Sequence, residues 1–156
     1  MRETADETEQ RCSIARSLEV LGQKWSLLIV REAALRSRTR FAEFRAELGI
    51  APDVLTDRLA RLVDAGILER RKYREAGERE REEYVLTGAG GALLPVLAAI
   101  NAWGDEYRPS SFGPAAIYTE RETGAPVRLA FVDDDGRELD RDDVVVIPGP
   151  SFIGAA

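Results

Sequence analysis

The tetrapeptide Gly49-Ile50-Ala51-Pro52 constrains this chain more than any other segment. It stands between two short amphipathic stretches, one marked by Phe41, Phe44 and Leu48, the other by Leu55, Leu59 and Leu62. Apolar residues at that spacing line one face of a helix. Pro52 suits the first turn of the second helix, where the missing N–H has no intrahelical partner in any case. A connection this short makes the two helices cross at a steep angle. Gly66 then supplies a residue suited to the left-handed end of the second one.

The flanking segments extend this pair into a recognisable order. Ile14, Leu18 and Leu21 fall at i, i+4 and i+7 and mark a first helix that Gly22 ends. The next stretch carries Trp25, Leu27, Leu28, Ile29, Val30, Ala33, Ala34 and Leu35, and a helix apolar nearly all round belongs in the middle of a bundle. Residues 37–39 break the pattern before the third helix. After Gly66, two short strands are expected at residues 67–73 and 83–87, with the charged segment 74–82 as a long hairpin loop. Thr87 is placed to cap a fifth helix of about five turns, with Leu93, Val96, Leu97, Ile100, Trp103 and Tyr107 as its stripe. Helix, helix, short helix, turn, helix, strand, charged loop, strand, long helix is the order of a winged helix-turn-helix. The fold class is therefore mainly α with a small β wing.

Residues 109–116 read as a linker, and residues 117–156 as a small β-rich C-terminal appendage. Strands are expected there at 117–122, 127–132 and 144–147, with a turn at 133–136. Residues 1–11 carry no apolar period and read as a flexible N-terminus. That leaves 12–108 as the winged helix-turn-helix domain.

Charge supports the same division. The chain carries a net −6, yet residues 34–81 hold 12 Lys and Arg against 9 Asp and Glu, while residues 109–156 hold 4 against 9. A positive field confined to the helix pair and wing is what phosphate binding requires. There is no His and a single Cys. Ser/His/Asp and Cys/His catalytic arrangements are thereby excluded, as is an intrachain disulfide, and no catalytic residue, cofactor or metal ligand set is expected. The acidic, polar N-terminal stretch and the short apolar runs predict neither a signal peptide nor a membrane span, which suits a cytoplasmic protein.

Burial of Leu55, Leu59 and Leu62 turns Asp53, Thr56, Asp57, Ala60 and Arg61 outward and leaves Arg58 at the margin. Thr56, Arg58 and Arg61 can meet base edges or phosphates of double-stranded DNA, with Pro52 at the start of the helix. Arg36, Arg38 and Arg40 flank the third helix, and Arg74, Arg79 and Arg81 stud the wing. Asp53 and Asp57 repel phosphate, although a carboxylate can accept from the cytosine amino group. The plainer alternative is that these arginines are solvated faces of a winged-helix protein-interaction module with little DNA binding.

Ordered pieces of the sequence carry a closer likeness. They are Cys12 at the start of the first helix, Leu21-Gly22-Gln23-Lys24-Trp25-Ser26-Leu27-Leu28-Ile29, Arg40-Phe41-Ala42-Glu43-Phe44, Ile50-Ala51-Pro52-Asp53-Val54-Leu55-Thr56-Asp57-Arg58-Leu59 and Ala65-Gly66-Ile67-Leu68-Glu69-Arg70. Arg81-Glu82-Glu83-Tyr84-Val85-Leu86-Thr87 and Leu93-Leu94-Pro95-Val96-Leu97 complete them. Over residues 12–107 the chain resembles the HxlR family of bacterial transcriptional regulators, cousins of the MarR-type winged helices. The resemblance implies a homodimeric transcriptional regulator, a repressor on a palindromic operator, with the first and last helices of the domain packed across the two-fold.

It also makes Cys12 a candidate sensor of oxidants or electrophiles. A helix N-terminus beside Arg11 and Arg16 is the electropositive setting of reactive thiols, and the plainer expectation is a half-buried thiol that packs. Trp25, Leu97, Ile100, Trp103 and Tyr107 are candidates for the dimer interface or a small-molecule effector site. Ala51 and Asp53 depart from the family, which usually has Ser before this Pro and Lys or Asn after it, and the wing is more acidic than usual. Some relatives carry a Cys- and His-bearing tail ending in a phrase like Asp143-Val144 and Pro148-Gly149-Pro150. Without Cys or His here, the tail cannot bind zinc in that way.

Overall fold

The computed structural model describes residues 11–77 and 79–150. The expected flexible N-terminus, apart from Arg11, lies outside the described residues, as do Glu78 of the wing and the last six residues of the tail. The chain divides into two units at Leu94 and Pro95.

The first unit is built on four helices, α1 (Ser13–Leu21), α2 (Lys24–Arg36), α3 (Phe41–Leu48) and α4 (Pro52–Asp64). α2 touches α1, α3 and α4 as well as the second strand of the wing, the central place that its apolar circumference predicts. α3 ends on Gly49 at φ 60°, and α4 follows with Pro52 in its first turn. Leu55, Leu59 and Leu62 of α4 join Ile29, Val30 and Phe44 with no exposed surface, and Ile50 and Leu68 close the same core. At the far end of α4, Gly66 N–H donates to the Val63 carbonyl and Ile67 N–H to the Leu62 carbonyl, with Gly66 at φ 71°. That pairing satisfies the last carbonyls of the helix and turns the chain sharply into the wing.

The wing is an antiparallel hairpin of β1 (Leu68–Tyr73) and β2 (Arg81–Leu86), running from Leu68 opposite Leu86 to Tyr73 opposite Arg81. The second strand begins two residues earlier than expected, which shortens the loop. Its middle is fastened to the start of α3. Tyr84 N–H donates to the Thr39 carbonyl at 2.7 Å, and the Thr39 hydroxyl donates to Glu83 Oε2 at 2.8 Å.

The expected fifth helix is two helices. Thr87 caps only a single turn, α5 (Gly88–Gly91), by accepting from Gly90 N–H, and α6 (Leu94–Tyr107) starts afresh. The interruption follows from the three glycines, which favour no helix, and from Pro95, whose missing N–H belongs in a first turn. Gly90 has a packing reason as well, since a Cβ there would lie 2.2 Å from the Ile67 carbonyl oxygen.

The second unit contains most of α6 and the tail. The Asn101 side-chain amide donates to the Tyr118 hydroxyl at 2.7 Å, and Arg141 reaches the Tyr107 hydroxyl. Of the expected strands only a fragment forms. β3 (Phe131–Val132) pairs with β4 (Glu138–Leu139) around the expected turn, where Asp133 accepts from the Asp135 and Arg137 backbone N–H groups. The stretch 117–122 contributes one isolated bridge, Thr119 opposite Pro126, and residues 144–147 form no strand. The cause is burial. Ile117, Val127, Val145, Val146 and Ile147 are all exposed, and alternation without a layer to cover it does not hold a sheet together.

Candidate nucleic-acid interface

α4 presents two opposite faces. One is the leucine row in the core, and the other exposes Asp53, Thr56, Asp57 and Arg61, with Arg58 and Ala60 half-buried. The Thr56 hydroxyl donates back to the Pro52 carbonyl at 2.8 Å, so towards solvent it offers acceptor lone pairs and a methyl group. Ala51, at the N-cap, makes no side-chain cap. No N-cap side chain therefore serves the first-turn N–H groups of α4, and the charge of Asp53 suits the positive end of the helix.

Arg58 and Arg61 meet on one carboxylate. Asp57 Oδ2 lies 3.0 Å from Arg61 Nε and 3.3 Å from Arg58 Nη1. The sequence carries half of this in the i, i+4 spacing of Asp57 and Arg61. Burial has its own cost at Arg58, because its Nε is enclosed without a hydrogen-bond partner.

At the other end of the motif, Glu43 reaches back to accept from both the Thr39 and Arg40 N–H groups at 3.0 Å. These backbone hydrogen bonds hold the Glu43 carboxyl below the usual carboxylate range. Arg40 itself turns towards the wing. Its guanidinium lies 4.7 Å from the Tyr73 ring centroid and pairs with Glu75 at 2.5 Å, and that hydrogen bond raises it above the ordinary arginine value. Arg38 and Arg36 share Glu47, at 2.9 Å and 3.2 Å, and Arg36 also lies 3.8 Å from the fully buried Glu32. In the wing, Lys72 pairs with Glu80, and Arg74, Arg79 and Arg81 are exposed. Sequence reasoning missed the partnerships of Glu47 and Glu75, which depend on how separate elements fold against one another and leave no helical or strand period in the sequence.

The remaining candidates fall elsewhere. Cys12 is exposed and is the N-cap of α1, its sulfur accepting from Ala15 N–H at 3.5 Å. A half-buried packing thiol is thus the wrong description of it. Trp25 is half-buried with Lys24 over its ring, and Trp103 and Tyr107 lie 5.7 Å apart, both exposed. Ile100 is exposed too, whereas Leu97 is already buried within one chain.

A family model described as HxlR-like helix-turn-helix matches residues 20–112, which take in α2, α3, α4, the wing and α6. The chain belongs to the HxlR-like helix-turn-helix family. This HxlR-type protein is 38% identical over 142 residues to an uncharacterised HTH-type transcriptional regulator of Mycobacterium tuberculosis, across 90% of its own length and 87% of the relative's. The crystal structure of PA1607, described as a transcription factor, superposes with a TM-score of 0.74 at 38% identity, covering 88% of this chain and 95% of that one. The redox regulator HypR in its reduced form has a TM-score of 0.55 at 30% identity, covering 62% of this chain and 94% of that one. The HxlR-type chain is thus a transcriptional regulator with a DNA-binding helix-turn-helix. Among the described residues no helix is long and apolar enough to cross a membrane.

Proposed function

We propose that this HxlR-type regulator is a cytoplasmic repressor that binds a palindromic operator as a homodimer. Residues 12–108 form one DNA-binding and dimerisation domain in this reading. α4 enters the major groove, with Thr56, Arg58 and Arg61 towards base edges and Pro52 at its leading end. Arg38 and Arg40 lie beside the third helix, and Arg79 and Arg81 of the wing reach the neighbouring backbone or minor groove. The observation that carries this reading is the two-sidedness of α4: three leucines without exposed surface on one side, polar and cationic side chains on the other.

The homodimer rests on uncovered apolar stripes. Ile14 and Leu18 of α1 and Val96, Ile100, Trp103 and Tyr107 of α6 are exposed in one chain, and apolar stripes of this kind mark association surfaces. Trp25 and Trp103 are the residues against which a small-molecule effector would be sought. HypR is a redox regulator, and the exposed thiol of Cys12 supports a similar input here. With one Cys per chain, a protein disulfide would link two protomers.

Selection of bound fragments from the host genome tests the proposal. A recovered palindrome with half-sites about one helical turn apart is the expected result, and recovery of no sequence even at low salt overturns it. A second reading, a winged-helix protein-interaction module, is favoured by the carboxylates that sit on Arg36, Arg38, Arg40, Arg58 and Arg61.

A further inference from the structure

Five arginines of the candidate interface are held by carboxylates of the same chain: Arg36 and Arg38 by Glu47, Arg40 by Glu75, Arg58 and Arg61 by Asp57. Exposed ion pairs contribute little to folding stability, so stability does not account for the arrangement. Its larger effect falls on an incoming polyanion. A guanidinium already engaged with a carboxylate offers a phosphate only the difference between two similar bonds, and the carboxylate repels the rest of the backbone. Of these carboxylates Asp57 alone stands on the exposed face of α4, between its two arginines, where the major-groove edges of bases arrive.

Those edges contain something that satisfies both members of the Asp57–Arg61 pair. Guanine presents N7 and O6 acceptors to a guanidinium, and cytosine presents the N4 amino group to a carboxylate. We propose that Asp57 is the specificity-determining residue of α4. It withholds Arg58 and Arg61 from phosphates in general and admits them where guanine takes the guanidinium and cytosine N4 takes the carboxylate. This deepens, and rests on, the operator-binding reading above. The operator half-site accordingly contains a G·C pair opposite the middle of α4.

The experiment compares Asp57→Asn with Asp53→Asn in the full-length protein, by binding to the selected operator and to a random duplex across a salt titration. Asp53 lies one turn earlier on the same helix and has no ion-pair partner among the described residues. Both substitutions remove one negative charge from the interface. Asp53→Asn is expected to tighten both duplexes equally and keep their ratio. Asp57→Asn is expected to tighten random DNA and lower the operator-to-random ratio by about tenfold, the range of one base contact. It should also shift the preferred base at that position from C towards A, which an amide can bind. Asp57→Ala, which supplies no amide, should lose the ratio without gaining the new preference, and thermal unfolding confirms that each variant is folded. If Asp57→Asn keeps the ratio as Asp53→Asn does, Asp57 acts only as a charge and the inference fails while the operator reading stands. If the parent binds no duplex at low salt, both fail together.

Discussion

The two units of this regulator handle apolar side chains in opposite ways. Among the described residues up to Leu94, nine apolar ones are buried, including Phe44, Ile29 and the three leucines of α4, and they come from α1, α2, α3, α4, the wing and the turn at Ile50. From Pro95 onward Leu97 is the only buried apolar residue among the described ones, while Ile100, Trp103, Phe112, Ile117 and Val146 stand exposed in a stretch with the same types of side chain. Hydrophobicity alone therefore does not make a core. The first unit supplies helices whose apolar faces converge, and the second supplies apolar residues with nothing of its own to cover them.

The sharpest way to break this contrast is to delete the same kind of surface in each unit. Phe44→Ala should destabilise the protein by about 3–5 kcal/mol, whereas Val146→Ala should stay within about 0.5 kcal/mol, both read by urea unfolding. Equal losses would mean that the tail packs more firmly than its exposure indicates. Gly90→Ala comes next, at about 1–3 kcal/mol, because the new methyl is driven against the Ile67 carbonyl. An unchanged melting temperature there would show that the junction between β2 and α5 gives way without cost.

Ile100→Asp tests the second unit from its exposed side. It should leave the cooperative unfolding of the helical bundle intact while weakening self-association at least tenfold, about 1.4 kcal/mol, in light scattering across micromolar concentrations. A parent protein that is monomeric throughout that range removes the dimer from the account. A smaller effect, about 1 kcal/mol, is expected for Glu43→Gln, which weakens the hydrogen bonds at the start of α3. Because the Glu43 carboxyl is held low in the folded protein, its contribution is present above the unfolded pKa and is lost as pH falls through the folded value. The parent should therefore lose stability on acidification below about pH 4.5 more steeply than Glu43→Gln. Parallel acid profiles would assign the steepness to other groups.

How far the sequence could be read follows the same boundary. Leu55, Leu59 and Leu62 were legible because a helix packed on one side imposes a fixed period, and Gly66 because few residues other than glycine accept its backbone conformation. The outward row of α4 was legible as the complement of the buried one. The partners of Arg38 and Arg40 were not, since Glu47 and Glu75 reach them only through the folded arrangement of α2, α3 and the wing. The tail misled for a physical reason. The run Val144-Val145-Val146-Ile147 signals a strand on the premise that other layers cover it, and Val145, Val146 and Ile147 are all exposed. The break between α5 and α6 lay in plain view in Gly88, Gly90, Gly91 and Pro95, outweighed by the cap at Thr87 and the apolar stripe that begins at Leu93.

The fastening of the wing has a mechanical consequence. Thr39 grips β2 through the Tyr84 N–H and the Glu83 carboxylate, and Arg40 grips the end of β1 through Tyr73 and Glu75. Both grips belong to the two residues that open α3. The hairpin is thus braced at two points, mid-strand and outer end, by the entry to that helix. A displacement of α3 is in this way carried directly to the outer end of the hairpin, and strain there is returned through the same two residues to the helix pair.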